Sequence, residues 1–497
     1  MFKRIFITCS ALLLSACASL TSMHPVPGPV GLPTNVLNLL ASAHIPADAV
    51  GAVVIRVADG TTVLSHRPQA SLQPASTLKI LTSIVGLERL GPTYRGRTEL
   101  RTNGEIVNGT LRGDLLLRGV GNPDFDWEAF QRMLQTLRHK GIMEISGDLI
   151  IDRQWFLPSR PDLGVPPFDE TPEFRYNVVP DALLLNTNLL QLDFQSGDQL
   201  EIKGMRVGMT PSLERVSVVS NMTFVDRACD QWEDGWKHPV VHRDADGLIR
   251  IELQGEFPKK CSASTDISIL DRSDFADRLF RTLWRNLGGT FSGKTREIAA
   301  AATSTTETRL LAQHQSRTLP EFTRDINKRS DNPITRLLYL SLGALSADDA
   351  GTPTSVRAEK QVRMWLKDRG IDDAGLVLEN GSGLSRSERI RPSQLAAVLH
   401  AAYRSDWAHE FMASLPIVAI DGGMRNRLRE SPAAGHARIK TGTLRDVAAV
   451  AGFVRDANNQ ICIVVVMINH PLAISSVARP ILDALIDWVA RQPARGV

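Results

Sequence analysis

The two ends of this 497-residue chain carry the same signal. Residues 50–57 and 61–66 are β-branched runs on either side of the turn dipeptide Asp59-Gly60. Far along the chain, residues 447–454 and 461–468 are apolar runs joined by the polar turn Asp456-Ala457-Asn458-Asn459-Gln460. Helical patterns lie between and after them, at residues 76–90 and 473–489, the first stopped by Gly91-Pro92. Strand hairpins at both ends of a helical middle imply one α+β domain whose antiparallel sheet is completed by both termini.

That reading makes the chain too long for its own domain. About 250 residues separate the helix at 76–90 from the next helix start at Ser330-Asp331-Asn332-Pro333, far more than a connection requires. Short alternating patterns with frequent glycine fill most of this stretch, at 99–102, 114–117, 148–151, 189–194 and 249–253. A β-rich insertion over residues 98–299 is the economical reading, with the interrupted domain formed by residues 36–97 and 300–494. The small-residue stretch at 299–307 marks the return.

Three short motifs fall in order on this frame: Ser76-Thr77-Leu78-Lys79, then Ser330-Asp331-Asn332, then Lys440-Thr441-Gly442. Each pattern occurs once. Ser76 is expected at a helix N-terminus, where free N–H groups and the helix dipole favour negative charge. Lys79, three residues on, shares its face and reaches its oxygen. A serine hydroxyl must lose its proton as it attacks, and a neutral Lys79 can take it. Desolvation and the cation Lys440 would lower the Lys79 pKa. Ser330 can relay a proton to a leaving amine and Asn332 can orient substrate amides. Lys440, Thr441 and Thr443, on an expected edge strand, would bind a substrate carboxylate, while Gly442 keeps that strand bare for substrate. Taken singly, each motif has a plain structural reading: a surface helix lysine, a helix cap, a strand lysine. The three in this order point to an acyl-enzyme hydrolase.

Composition removes other classes. The charge balance of +3 gives no footprint for nucleic acid. No C-x-x-C pair exists, and Pro239 between His238 and His242 breaks the helix that would align them, so neither metal nor cofactor is expected. No apolar run reaches the roughly 18 residues a membrane-spanning helix needs. The N-terminus reads as an export signal: Lys3 and Arg4, an apolar stretch at 5–14, then Leu14-Ser15-Ala16-Cys17. That ending is similar to a bacterial lipobox, which implies a signal over residues 1–17 cleaved before a lipidated Cys17. A Pro- and Gly-rich tether over 18–35 would follow. Export to the periplasm, with a lipid anchor in the outer membrane, is the corresponding expectation. Cys229 and Cys261 can then form a disulfide, while Cys462 lies in an apolar run as a buried thiol.

The motifs resemble the serine-active penicillin-recognising family. More of the chain is similar to its class C low-molecular-mass members, the D-alanyl-D-alanine carboxypeptidase/endopeptidase family. Matching segments are Leu111-Arg112-Gly113-Asp114-Leu115, Gly121-Asn122-Pro123-Asp124, Gly147-Asp148-Leu149, Gly381-Ser382-Gly383-Leu384-Ser385-Arg386, Asp421-Gly422 and Ala451-Gly452-Phe453. The resemblance implies a β-lactamase/transpeptidase-like domain interrupted by inserted β-rich domains. It also implies Ser76 as nucleophile, an oxyanion hole from the Ser76 and Thr443 amides, peptidoglycan stem peptides as substrates and β-lactams as inhibitors. The alternatives are a serine β-lactamase or esterase, which the insertion disfavours, and a non-catalytic cell-wall-binding protein. Two departures stand out: Gly423-Met424 replaces the family's Thr-Leu, and Asp446 places a carboxylate in sequence near Lys440.

Overall fold

The computed structural model describes residues 31–197, 205–298, 308–346 and 351–493. The signal and the Cys17 lipidation reading, the tether up to residue 30, and the return stretch at 299–307 lie outside the described residues.

One five-stranded sheet joins the two ends of the chain. Its strand order is Arg438–Leu444, Val447–Arg455, Ile461–Asn469, Val50–Arg56, Thr62–His66, every pair antiparallel. The contact between the termini is central, with Val50 opposite Ile468 and Val54 opposite Val464. Alternation along the strands sends side chains to opposite faces. Val53, Ala449, Ala451, Val465 and Met467 pack against the helices Lys79–Leu90, Asn332–Ala344 and Pro392–Tyr403. Ala52, Val54, Val464, Val466 and Ile468 pack on the other side against Thr34–Ser42 and Ser475–Ala490. Covering both faces explains why residues 461–468 are apolar without alternation. Each buried Val, Leu or Ile contributes about 1.5–3 kcal/mol.

The second body begins where the chain leaves Lys79–Leu90. Its main sheet has the order Thr295–Glu297, Leu149–Asp152, Leu115–Val120, Arg97–Thr102, Arg309–Gln315. The last strand pairs with Arg97–Thr102, so this sheet takes in residues beyond 307. Leu115–Val120 and Leu149–Asp152 are parallel, joined over the helix Trp127–His139. That helix is capped by the Asp126 side chain, which accepts from the Ala129 N–H, and it buries Ala129, Phe130, Met133, Leu134 and Leu137. A second helix, Arg272–Asn286, packs into the same core. Nested between Asp152 and Arg272 are two further sheets built on Leu190–Ser196 and Ile249–Pro258. Cys229 and Cys261 are disulfide-bonded in this nested part, and Cys462 is a buried free thiol.

Candidate active site

The start of the helix that follows Ser76 is wound more tightly than its pattern predicts. Residues Ala75–Leu78 form a 3₁₀ turn, and the α-helix begins only at Lys79. Ala75 takes φ = +46°, a left-handed value that costs a non-glycine residue free energy and is held only by its surroundings. Those surroundings are two glycines. A Cβ on Gly383 would stand 1.9 Å from the Ala75 carbonyl oxygen, and one on Gly442 would stand 2.7 Å from that of Pro74 and 3.0 Å from the Ser76 nitrogen. Gly442 therefore lets the strand Arg438–Leu444 close on the turn that carries Ser76. This differs from the expectation that its bareness serves substrate, because its missing side chain would point at protein.

Ser76, Lys79, Ser330, Asn332 and Lys440 converge from three distant parts of the chain. The Lys79 ammonium nitrogen is buried and sits 2.9 Å from Ser76 Oγ, 2.6 Å from Asn332 Oδ1 and 2.6 Å from the Ser382 carbonyl oxygen. Burial first, and the neighbouring Lys440 second, hold its pKa well below that of an ordinary lysine. Asp331, Glu388 and Arg336 are the other charges acting on it, the two carboxylates opposing the drop. Lys440 donates to Ser330 Oγ at 2.9 Å and to the Thr441 carbonyl at 2.8 Å, and burial brings its pKa down to about 7. Thr441 is half-buried and Thr443 exposed on the same strand.

Asp331 caps the helix Asn332–Ala344 by accepting from the Ile334 N–H at 2.9 Å. The inserted body grips this corner. Arg175 donates to the other Asp331 oxygen at 2.9 Å, and Asn332 Nδ2 donates to the Tyr176 carbonyl at 3.0 Å. Neither partner is visible in the motifs, since both lie some 156 residues away in sequence. The Ser382 carbonyl was also beyond sequence reasoning, although Gly381-Ser382-Gly383 is conspicuous as a string. Its serine is no nucleophile here, for Ser382 Oγ is buried and donates to Asn380 Oδ1 at 2.6 Å.

Both departures have a structural account. Asp446 is exposed at the hairpin turn with φ = +66°, and it is burial that lowers the Lys440 pKa. A Cβ on Gly423 would come 2.5 Å from Thr441 Oγ1, so glycine there leaves room for the threonine hydroxyl in its present place.

Residues 32–492 match the family described as D-Ala-D-Ala carboxypeptidase 3 (S13). The chain belongs to that family. It is a serine-type carboxypeptidase, a hydrolase. Among its relatives, the D-alanyl-D-alanine carboxypeptidase of Actinomadura sp. (strain R39) is 26% identical over 462 residues, covering 90% of this chain and 82% of that protein. The D-alanyl-D-alanine carboxypeptidase DacB of Haemophilus influenzae is 25% identical over 425 residues, covering 84% of this chain and 85% of that one. In fold, the crystal structure of penicillin binding protein 4 (dacB) from Haemophilus influenzae superposes with a TM-score of 0.76 at 22% identity, covering 93% of this chain and all of that one. The transpeptidase-like α+β fold expected from the sequence is thus the fold found.

Proposed function

We propose that this S13-family enzyme is a serine D,D-peptidase of peptidoglycan. It hydrolyses terminal D-alanyl-D-Ala bonds, D-alanyl cross-links between stem peptides, or both, through an acyl-enzyme on Ser76. The observation that carries this reading is the set of partners around Lys79. A neutral amine has two N–H donors and one lone pair. The Asn332 amide oxygen and the Ser382 carbonyl can only accept, and at 2.6 Å each takes one N–H. The lone pair is left for the third neighbour, the Ser76 oxygen at 2.9 Å, whose hydroxyl can donate to it once Lys79 is neutral. The buried, depressed lysine is therefore a base already aimed at its proton.

The reaction follows from that arrangement. Lys440, with the Thr441 and Thr443 hydroxyls, receives the substrate's terminal carboxylate, whose charge favours the protonated lysine. A charged Lys440 in turn keeps Lys79 neutral. Ser76 Oγ attacks the scissile carbonyl as its proton passes to Lys79, and the Ser76 and Thr443 amides stabilise the oxyanion. Ser330, held by Lys440, gives its hydroxyl proton to the leaving amine and is re-protonated by the one Lys79 accepted, which returns Lys79 to the neutral form. Water then hydrolyses the ester with Lys79 again as base. A penicillin presents a strained amide and a carboxylate to the same groups and acylates Ser76. Mapping the adduct by mass spectrometry after labelling with a penicillin tests the assignment. An adduct on Ser330 or Ser382, or undiminished labelling of Ser76→Ala, refutes it.

The enzyme acts outside the cytoplasm in this reading, where the Cys229–Cys261 bond persists. Anchoring in the outer membrane through a lipidated Cys17 is part of the same proposal, since two or more acyl chains suffice for stable attachment. Wild type should then fractionate with membranes and Cys17→Ala with soluble periplasmic protein; a soluble wild type with an unmodified N-terminus beyond residue 17 rejects the anchor.

A further inference from the structure

Glu388 is a buried carboxylate, 1% exposed, and among the described residues no cation is hydrogen-bonded to it. Its partners are four backbone N–H groups of one loop. Oε1 accepts from Glu379 at 3.1 Å, from Asn380 at 2.9 Å and from Gly381 at 2.9 Å, and Oε2 accepts from Gly383 at 2.9 Å. The last of these is the informative one. The Gly383 N–H and the Ser382 carbonyl belong to the same peptide group and point in opposite directions. Glu388 thus holds one end of the peptide plane whose other end accepts from Lys79 at 2.6 Å.

The neighbouring peptide group is pinned in the same way. Ser382 N–H donates to Asn380 Oδ1 at 3.0 Å, while the Gly381 carbonyl accepts from Thr82 Oγ1 at 2.6 Å. Gly381 and Gly383 both take left-handed φ, +70° and +81°, which glycine adopts without strain, and a Cβ on Gly383 would stand 2.9 Å from the Ser76 nitrogen. A carboxylate on the N–H side also polarises the carbonyl at the far end, strengthening its pull on a lysine N–H. Burying such a group with no cation hydrogen-bonded to it among the described residues is costly; its charge is felt by Arg336 and Lys79, but its hydrogen bonds there all go to this loop.

We propose that Glu388 is a positioning residue for acylation: it fixes the Ser382–Gly383 peptide so that its carbonyl takes one Lys79 N–H and the Lys79 lone pair faces Ser76. The inference rests on Lys79 being the base. Rapid-mixing kinetics with a fluorescent penicillin separate the non-covalent dissociation constant from the acylation rate constant. Glu388→Gln places an N–H₂ group among the loop's donors in place of one carboxylate oxygen. The acylation rate constant should fall at least 30-fold, while the dissociation constant moves less than threefold. Glu388→Asp, which keeps the charge with a shorter reach, should fall between Gln and wild type. Glu379→Gln, whose carboxylate bonds the Ser385 and Ser387 hydroxyls on the outer side of the loop, should stay within threefold of wild type. A folded Glu388→Gln that acylates within threefold of wild type overturns the proposal. So do equal losses in binding and acylation, or failure of both Glu388 variants to fold. Lys79→Ala in the same assay separates the two readings: if it acylates normally the base assignment is wrong, whereas if it is inert and Glu388→Gln is normal only the role of Glu388 fails.

Discussion

Lys440 costs the protein stability, and replacing it with methionine should make the enzyme more stable and less active at once. The side chain is 1% exposed, and burial lowers its pKa from 10.5 to about 7. At 1.36 kcal/mol per pH unit, that depression corresponds to a penalty of about 5 kcal/mol on the native state whenever the unfolded lysine is protonated and the native one must be too. Lys440→Met keeps most of the volume and removes the charge. It forfeits the bonds to Ser330 and to the Thr441 carbonyl, about 1–1.5 kcal/mol each. The net gain at pH 6 is then roughly 2 kcal/mol, or about 4–8 °C in Tm for a domain of this size. Relief of the repulsion that Lys440 exerts on Lys79 acts in the same direction.

The pH dependence gives this prediction its sign. Because the native pKa is depressed, the unfolded state binds more protons between about pH 7 and 10.5, and wild-type stability rises with pH across that window. Below pH 7 both states are protonated and the whole penalty is present. By pH 10 it has shrunk to about 1 kcal/mol, less than the two lost hydrogen bonds, so the variant should be the less stable protein there. Thermal scans of both proteins at pH 6 and pH 10 suffice. A Lys440→Met that is less stable at pH 6, or an advantage that survives unchanged at pH 10, would show that Lys440 is not held against its charge.

Two further outcomes follow from the site. Capture of carboxylate-bearing substrates, read as kcat/KM, should decline as pH rises through about 7, because free-enzyme Lys440 loses the proton that makes it a carboxylate partner; an ester lacking that carboxylate should not show this limb, and identical profiles for the two would reject the recognition role. Arg175→Ala should lower kcat/KM about tenfold, equivalent to about 1.4 kcal/mol, by loosening Asp331 and with it Asn332; Arg445→Ala, which removes only an exposed pair with Glu170, should change nothing measurable, and equal effects of the two would deny the insertion a part in the site.

What the sequence made legible follows from distance along the chain. Lys79 lies one helical turn from Ser76, so their meeting could be read from spacing alone. The three motifs could be read as one site because each is a local string with few uses. The strands of the terminal sheet announced themselves by β-branched runs. The Arg175–Asp331 pair went unread because its residues lie far apart in sequence, and other contacts because they are made by backbone atoms, which carry no residue code. The Ser382 carbonyl bonds Lys79 across 303 positions, and the Tyr176 carbonyl bonds Asn332 across 156. The helix Trp127–His139 was hidden for a different reason. Its cap at Asp126 and its apolar residues at 129, 130, 133, 134 and 137 form a clear helical pattern, but it lies among the strand patterns of a stretch read as β-rich. Glycines misled in one instance. Gly442 suggested room for substrate, and only the position of Pro74 and Ser76 shows that the room is used by the fold.

The insertion bears on the chemistry through a single amide. An asparagine side chain offers an oxygen that accepts and a nitrogen that donates, and the two can exchange places by a half-turn. If Asn332 turned its nitrogen toward Lys79, that lysine would face a donor and would have to swing its lone pair away from Ser76. Nothing in the catalytic domain's three motifs prevents this. The Tyr176 carbonyl does, because it can only accept, and at 3.0 Å it holds Nδ2 on its own side and leaves Oδ1 for Lys79 at 2.6 Å. Arg175, the residue before it, bonds Asp331, the residue before Asn332, so the two pairs form a two-point clasp. Lys79 is then oriented from both sides: by the Ser382 carbonyl within the catalytic domain, and by Asn332 as set from the inserted body. A catalytic domain cut free of residues 98–299 would keep every motif residue and lose the carbonyl that fixes the orientation of one of the two acceptors aiming its base.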